Sequence, residues 1–112
     1  MDDPVHQVVT LLSREIGKPW TVGDLARLCN MSRATFARVF RQVLGQAPMQ
    51  YLTDWRMTLA RDLLRAQEAT LDEIAVQVGY SSVYAFATAF RRHHGGPPRR
   101  WQRELTPGRP TN

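Results

Sequence analysis

The stretch LDEIAVQVGYSSVYAFATAFRRHHGGPPRRW, residues 71–101, has the pattern of two short helices that meet at Gly79. Apolar residues recur at helical spacing on both sides of this glycine, which suits the left-handed position at a helix end. Ser82 follows closely and is a typical N-cap for a new helix. The stretch therefore predicts a helix, a tight turn and a second helix.

An earlier copy of the same pattern lies upstream. Residues 25–26 precede residues 74–75 by 49 positions, whereas residues 40–41 precede residues 90–91 by 50, so the turn of the second copy contains one added residue. Repeat arrays need about three or more units to bury a continuous core. Two copies therefore indicate a paired module and not a solenoid.

The length of 112 residues corresponds to one domain, or to two very small ones that share a connecting helix. An apolar content of 43% is enough for a modest core and argues against general disorder. The net charge is +5, and among the lysines and arginines only Lys18 is a lysine. The guanidinium group of arginine forms bidentate hydrogen bonds with phosphates and with the edge of guanine. Ordinary surface charge explains this excess equally well, so charge alone does not decide for nucleic acid.

The sequence lacks the signals of several other classes of protein. Cys29 is the only cysteine, so no disulfide framework is expected, and its place on an apolar helix face favours a small buried hydrophobe. His6, His93 and His94 do not have the spacing of a metal site and are expected to be solvated or phosphate-facing. No arrangement of catalytic residues is found, and no cofactor is expected. Without a membrane-length apolar run or a signal peptide, the protein is expected to be soluble and intracellular.

Periodicity and capping signals predict an all-α fold of about seven helices. The predicted helices are Pro4 to Ile16, one that begins at the Thr21–Asp24 capping box, 33–44, Pro48 to Ala66, Leu71 to Val78 after a second capping box at Thr70, 83–94, and a last one from Pro98. The predicted organisation is a packing helix in 1–19, a helix-turn-helix unit in 20–46, a linker helix in 47–68, a second unit with a C-terminal helix in 69–105, and a disordered tail in 106–112.

The apolar residues at helical spacing are the predicted core. In the third helix they are Phe36, Val39, Phe40, Val43 and Leu44; in the long fourth helix Leu52, Trp55, Leu59, Ala60 and Leu63; in the sixth Phe86, Ala89 and Phe90; and Trp101 and Leu105 are expected to pack back from the last.

The two helices of 33–44 and 83–94 have different predicted outer faces. The first presents Arg33, Ala34, Ala37, Arg38 and Arg41, with no acidic residue among them. Small alanines between arginines let a helix sit deep against base edges, although a solvated charged face remains the plain alternative. The second presents Val83, Tyr84, Ala87 and Thr88, and charge begins only at Arg91 and Arg92.

Together these features resemble the DNA-binding domain of the AraC/XylS family of bacterial transcription regulators. The resemblance covers residues 20–103 and rests on WTVGDLA from Trp20, on MSRATFARVFR from Met31, on Gly45 to Leu52, and on the opening stretch. It implies two helix-turn-helix subdomains whose recognition helices occupy successive major grooves of double-stranded DNA, followed by recruitment or hindrance of RNA polymerase. The long helix, at about 28 Å, is compatible with a groove repeat of about 34 Å. A cytoplasmic, nucleoid-associated location is implied.

The resemblance also implies site residues. Base-reading positions are Arg33, Ala34, Ala37 and Arg38 in the first recognition helix and Val83, Tyr84, Ala87 and Thr88 in the second, while Arg41, Arg91, Arg92 and Arg100 are expected to contact phosphates. Arg38 is the expected main reader of guanine. The family usually has arginine where Thr88 stands, so the second helix is expected either to touch thymine methyls or to grip phosphates and read DNA shape. For Tyr84 the alternative to base reading is that its side chain packs against its own helix.

Most members of this family carry a ligand-binding, dimerising domain before the DNA-binding one. The few residues before the first helix cannot supply it, so the sequence is expected to be a stand-alone regulator or the carboxyl-terminal part of a longer one. The competing class of function is a helical protein-interaction module that has kept the fold and lost specific DNA binding. Exposed Val83 and Tyr84 would suit that class, whereas Arg33, Arg38 and Arg41 on an acid-free face argue against it.

Overall fold

The computed structural model describes residues 3–104, and this part of the chain contains seven helices and no strand. The helices are α1 (Pro4–Arg14), α2 (Val22–Leu28), α3 (Arg33–Leu44), α4 (Pro48–Ala66), α5 (Leu71–Gln77), α6 (Val83–His94) and α7 (Pro98–Glu104). The predicted all-α fold is confirmed. Leu105 and the predicted tail of 106–112 lie outside the described residues.

Four helix starts carry the predicted caps. Thr21 and Thr70 each accept a hydrogen bond from the backbone N–H three residues on, and the acid at that position accepts from the threonine N–H, which completes both capping boxes. Ser32 and Ser82 accept in the same way at α3 and α6. These side chains satisfy N–H groups that have no partner inside the helix, so they set where α2, α3, α5 and α6 begin.

Left-handed residues end the paired helices. Asn30 has φ 55° and Gly79 has φ 92° at equivalent places in the two turns, and Gly45 (φ 80°) and Gly95 (φ 84°) follow α3 and α6. Glycine adopts this conformation without the Cβ clash that other residues suffer, and asparagine tolerates it. The turn residues therefore follow from the sequence.

Two helices end earlier than predicted. In α1 the last helical residue is Arg14 instead of Ile16, because Glu15 leaves helical geometry (φ −126°, ψ 51°). The Ile16 carbonyl instead accepts a hydrogen bond from Arg56 Nε at 3.0 Å, a contact from far along the sequence. In α5 the helix ends at Gln77, and Val78 is its C-cap.

The chain divides into two compact units, with the boundary between Arg56 and Met57 inside α4. The first unit buries Val5, Val8, Leu12, Leu25, Ala26, Phe36, Phe40 and Leu52; the second buries Met57, Ala60, Leu64, Ile74, Ala75, Val78, Phe86 and Phe90. Each repeat thus has a hydrophobic cluster of its own.

The predicted stripe of α4 was wrong in part. Trp55 is 41% exposed, Leu59 and Leu63 are only half-buried, and the fully buried positions of the second half are Met57 and Leu64 together with the predicted Ala60. A single stripe assumes one core along the helix, whereas α4 serves two clusters and its buried positions change register after Leu52. Val43 in α3 was also wrongly predicted to be buried, since it is 43% exposed.

Candidate nucleic-acid interface

α3 is held in the first unit by its two phenylalanines. Phe36 and Phe40 are fully buried, with ring centroids 5.6 Å apart, and Tyr51 from α4 packs edge-on against Phe40 at 5.5 Å. The turn before α3 is closed by the Met31 N–H, which donates to the Ala26 carbonyl at 3.0 Å. Since one side of α3 is anchored in this way, its opposite side must face outward.

The outward side of α3 is basic. Arg33, Ala34, Arg38 and Arg41 are exposed and Ala37 is half-buried. Within residues 3–104 no ion pair or hydrogen bond engages the three arginine side chains. The exposed cations of this helix are therefore available to an anionic partner.

α6 has the same anchor but a different outward side. Phe86 and Phe90 are buried, with ring centroids 5.8 Å apart. Trp101 from α7 packs edge-on against Phe90 at a centroid distance of 5.7 Å, as Tyr51 does against Phe40. Tyr84 is 82% exposed, so the alternative in which it packs back on the helix is wrong.

Val83, by contrast, is half-buried and packs against the second hydrophobic cluster, so it offers less surface to a partner than predicted. Thr88 is exposed and Ala87 is half-buried. A shallow groove of about 400 Å³ runs along this side and is lined by Tyr84, Ala87, Thr88, Arg91 and Pro97. The outward side of α6 is therefore largely neutral, with cations at its carboxyl end.

The candidate phosphate contacts lie at the surface of each unit. Arg41 in the first unit, and Arg91, Arg92 and Arg100 in the second, are all exposed. In the described part of the chain, the side chains of Arg41, Arg91 and Arg92 form no hydrogen bond or ion pair. Such groups suit backbone contacts, which position a protein on DNA without reading its sequence.

Comparison with known proteins decides the family. The family profile described as "Helix-turn-helix domain" matches residues 25–104. The relatives include an AraC-like transcription regulator of Streptomyces lividans, 43% identical over 94% of this chain, and the HTH-type transcriptional regulator AlkR of Acinetobacter baylyi, 35% identical over 93%. The chain belongs to the AraC family.

A solved structure has the same fold. The DNA-binding domain of AdpA, a global transcriptional factor in complex with a target DNA, superposes with a TM-score of 0.90 at 33% identity and covers 99% of this chain and all of that domain. The chain spans only 34% and 38% of the lengths of the Streptomyces and Acinetobacter regulators. The likeness to AraC-type proteins therefore concerns one part of those regulators.

Of the three histidines of this AraC-type chain, His6 and His93 are exposed as predicted, whereas His94 differs from the prediction. His94 is not a solvated group, because its ring lies 4.4 Å from that of Phe90 and 5.8 Å from that of Trp101, and its Nε2 is buried without a hydrogen-bond partner in the described residues. Burial lowers the pKa of His94, and the nearby positive charges of His93 and Arg61 lower it further, against a smaller opposing effect of a hydrogen bond to the Met57 backbone. His94 therefore favours its neutral form in the folded second unit.

Cys29 lies at the edge of the first hydrophobic cluster and is half-buried instead of fully buried. Its Sγ lies 3.8 Å from the Pro4 carbonyl oxygen. Burial, followed by the negative charge of Asp3, raises the pKa of this thiol. A raised pKa keeps the thiol protonated, which makes it a poor nucleophile.

Between residues 3 and 104 no three His, Cys, Asp or Glu side chains cluster in a way that could hold a metal ion. Among the same residues no helix has the length and apolarity needed to cross a membrane.

Proposed function

We propose that this chain binds double-stranded DNA in a sequence-specific way, as the DNA-binding part of a bacterial transcription regulator. The observation that carries the proposal is the acid-free outward side of α3, where Arg33, Arg38 and Arg41 are exposed without an ion pair and small alanines lie between them. α3 and α6 are the proposed recognition helices, each in a major groove and the two grooves successive, as the family resemblance implies.

Arg38 is the proposed main base reader. It is exposed one helical turn after Ala34 and next to the half-buried Ala37, so its guanidinium can approach a base edge without steric hindrance from its neighbours. A guanidinium that donates to both O6 and N7 of guanine discriminates against other bases by about 1 to 3 kcal/mol. The α3 half-site is therefore proposed to contain at least one G·C pair.

α6 is proposed to recognise DNA through apolar contacts with bases and through the shape of the duplex. The surface of the groove beside Tyr84, Ala87 and Thr88 is more apolar than polar, which suits the methyl group of thymine. Arg91, Arg92 and Arg100 are proposed to contact phosphates at the carboxyl-terminal side of this helix. The second half-site is therefore expected to be richer in A·T and more tolerant of substitution than the first.

RNA polymerase is the proposed protein partner, by analogy with the regulators that the chain resembles. Most of the length of those relatives has no counterpart in these helices, so effector binding is not proposed for them. The interaction-module alternative is less well supported, because the AdpA domain with the same fold was solved with its target DNA.

Salt-titrated binding to duplex DNA tests the function. Binding that neutralises several phosphates should weaken steeply with salt, with a log-log slope of about −0.9 per phosphate, and selection from a random duplex pool should return a two-part site. A chain with no affinity for genomic DNA fragments at low salt, or one that enriches no sequence, would refute the proposal. Binding to a bacterial protein without any binding to DNA would favour the interaction module.

A further inference from the structure

Three polar groups of the first unit surround an open point above Gly23. The position that a Cβ would occupy at this residue lies 3.5 Å from Nε of Arg33, 3.7 Å from Oγ1 of Thr21 and 3.9 Å from Nη1 of Arg27. Although Arg33 belongs to α3, this distance places its guanidinium against the first turn of α2. This placement is different from that of a side chain extended from α3 towards a base edge.

Positive charge exceeds negative charge around this point. Arg27 donates through Nη2 to Oδ1 of Asp24 at 2.6 Å, and Oδ2 of Asp24 accepts the N–H of Thr21 at 3.1 Å. Asp24 therefore orients Arg27 and offsets one positive charge, while the Arg27 side chain stays 76% exposed with N–H donors to spare. Arg33 has no ion pair in the described residues. One uncompensated positive charge and several donors remain around the open point.

The second repeat is an internal control for this arrangement. The counterparts of Gly23, Arg27 and Arg33 are Asp72, Val76 and Val83, at the repeat distances of 49 and 50 residues. The capping box is present in both repeats, so the fold of the turn does not require the arginines. Val76 is 70% exposed in the position of a cation.

The local charge differs accordingly. Two arginines and Asp24 give a sum of +1 in the first repeat, whereas Asp72 and Glu73 give −2 in the second. An anion is attracted to the first place and repelled from the second.

We propose that Arg27 and Arg33, with the space left by Gly23 between them, form a binding site for one backbone phosphate of DNA that exists in the first unit only. Guanidinium groups bind phosphodiester oxygens by charge-assisted hydrogen bonds, and the missing side chain lets such an oxygen approach the backbone at Gly23 closely. This site rests on the proposed function and sharpens it. It moves Arg33 from base reading to phosphate binding and leaves base discrimination in the first half-site to Arg38.

Gly23→Ala, Arg33→Ala and Asp72→Ala in the full 112-residue chain test the site. Gly23 has no positive φ and lies inside α2, where alanine is the better helix former, so Gly23→Ala should unfold at the same or a higher temperature than the wild type. Its methyl group fills the open point, however, and should weaken DNA binding several-fold. Asp72→Ala, at the matched position of the second repeat, should not weaken binding.

Arg33→Ala should weaken binding about 10-fold on the selected duplex and on a scrambled duplex alike, and should reduce the log-log salt slope by about 0.9. The site is overturned if Gly23→Ala and Arg33→Ala bind like the wild type, or if Asp72→Ala weakens binding as Gly23→Ala does. It is also overturned if Arg33→Ala changes the sequence that a random pool returns while the salt slope stays the same. In all these cases the wild type still binds DNA; a wild type that binds no duplex overturns the proposed function and the site with it.

Discussion

Replacing Phe90 with alanine should remove most of the stability of the second unit. The side chain is fully buried, and its ring lies 5.8 Å from that of Phe86, 4.4 Å from that of His94 and 5.7 Å from that of Trp101. Truncation of a buried phenylalanine costs about 3 to 5 kcal/mol, from lost burial and from the cavity left behind. Whole domains are stable by only about 5 to 15 kcal/mol, so a unit of half this chain is expected to be left near or beyond its unfolding midpoint.

The tryptophans allow the two units to be followed separately. Trp101 packs against the second cluster, whereas Trp20 packs against the first and Trp55 contacts Tyr51 in the same unit. In a two-dimensional NMR spectrum of Phe90→Ala, the indole N–H signal of Trp101 should move to its unfolded position in little or no urea. The signals of Trp20 and Trp55 should keep their folded positions to higher urea.

Phe40→Ala is the matched control, because Phe40 is the equivalent buried residue of the first unit. It should reverse the pattern and leave the Trp101 signal folded for longer. The reasoning from separate hydrophobic clusters would be wrong if all three indole signals of Phe90→Ala were lost at one urea concentration. It would also be wrong if the free energy of unfolding reported by Trp101 fell by less than about 1 kcal/mol.

The remaining predictions concern binding and stability. Arg38→Ala should relax the base preference of one half-site and cost about 1 to 3 kcal/mol of binding free energy on the selected duplex, whereas Arg91→Ala should weaken binding to all sequences alike. If Arg38→Ala selected the same consensus sequence from a random pool as the wild type, the assignment of Arg38 as base reader would be contradicted. Because the folded pKa of His94 lies below its unfolded value, the unfolded chain takes up the proton first as the pH falls through the ordinary histidine value of about 6.5, so the second unit should lose stability below that pH. Urea midpoints at pH 7.5 and 5.5 should show the loss in wild type and a smaller one in His94→Gln, and equal losses would exclude His94 as the cause. Thr70→Ala should cost the second unit about 0.5 to 2 kcal/mol by urea unfolding, with Thr70→Ser much milder, and similar losses in both variants would argue against the hydroxyl cap.

Local features of the fold were determined by the sequence itself. Both capping boxes, the serine caps of α3 and α6, and the left-handed Asn30 and Gly79 depend on residues a few positions apart, so the chain specifies them before any packing occurs. The bounds of α4 followed from Pro48 and from the loss of helical pattern after Ala66. The two copies of one pattern, spaced 49 and 50 residues apart, were sufficient to indicate the paired architecture and the family.

Tertiary structure decided which surface each side chain occupies. Periodicity assigns residues to one stripe per helix, but α4 serves two clusters, so Trp55 is exposed and Met57 and Leu64 are buried against the prediction. His94 is half-buried between Phe90 and Trp101. The contact with Phe90, four residues earlier on α6, follows from helical spacing, whereas the contact with Trp101 depends on how α7 packs.

Packing also distinguishes two of the three arginines of α3. Arg33 and Arg38 were both predicted to lie on the outer face of α3, yet the guanidinium of Arg33 lies beside Gly23 of α2. That contact joins two helices and depends on a missing side chain, so only the folded chain discloses it. Sequence thus determined the helices and their ends, because those interactions are local, while packing between helices decided which exposed cations converge on one point.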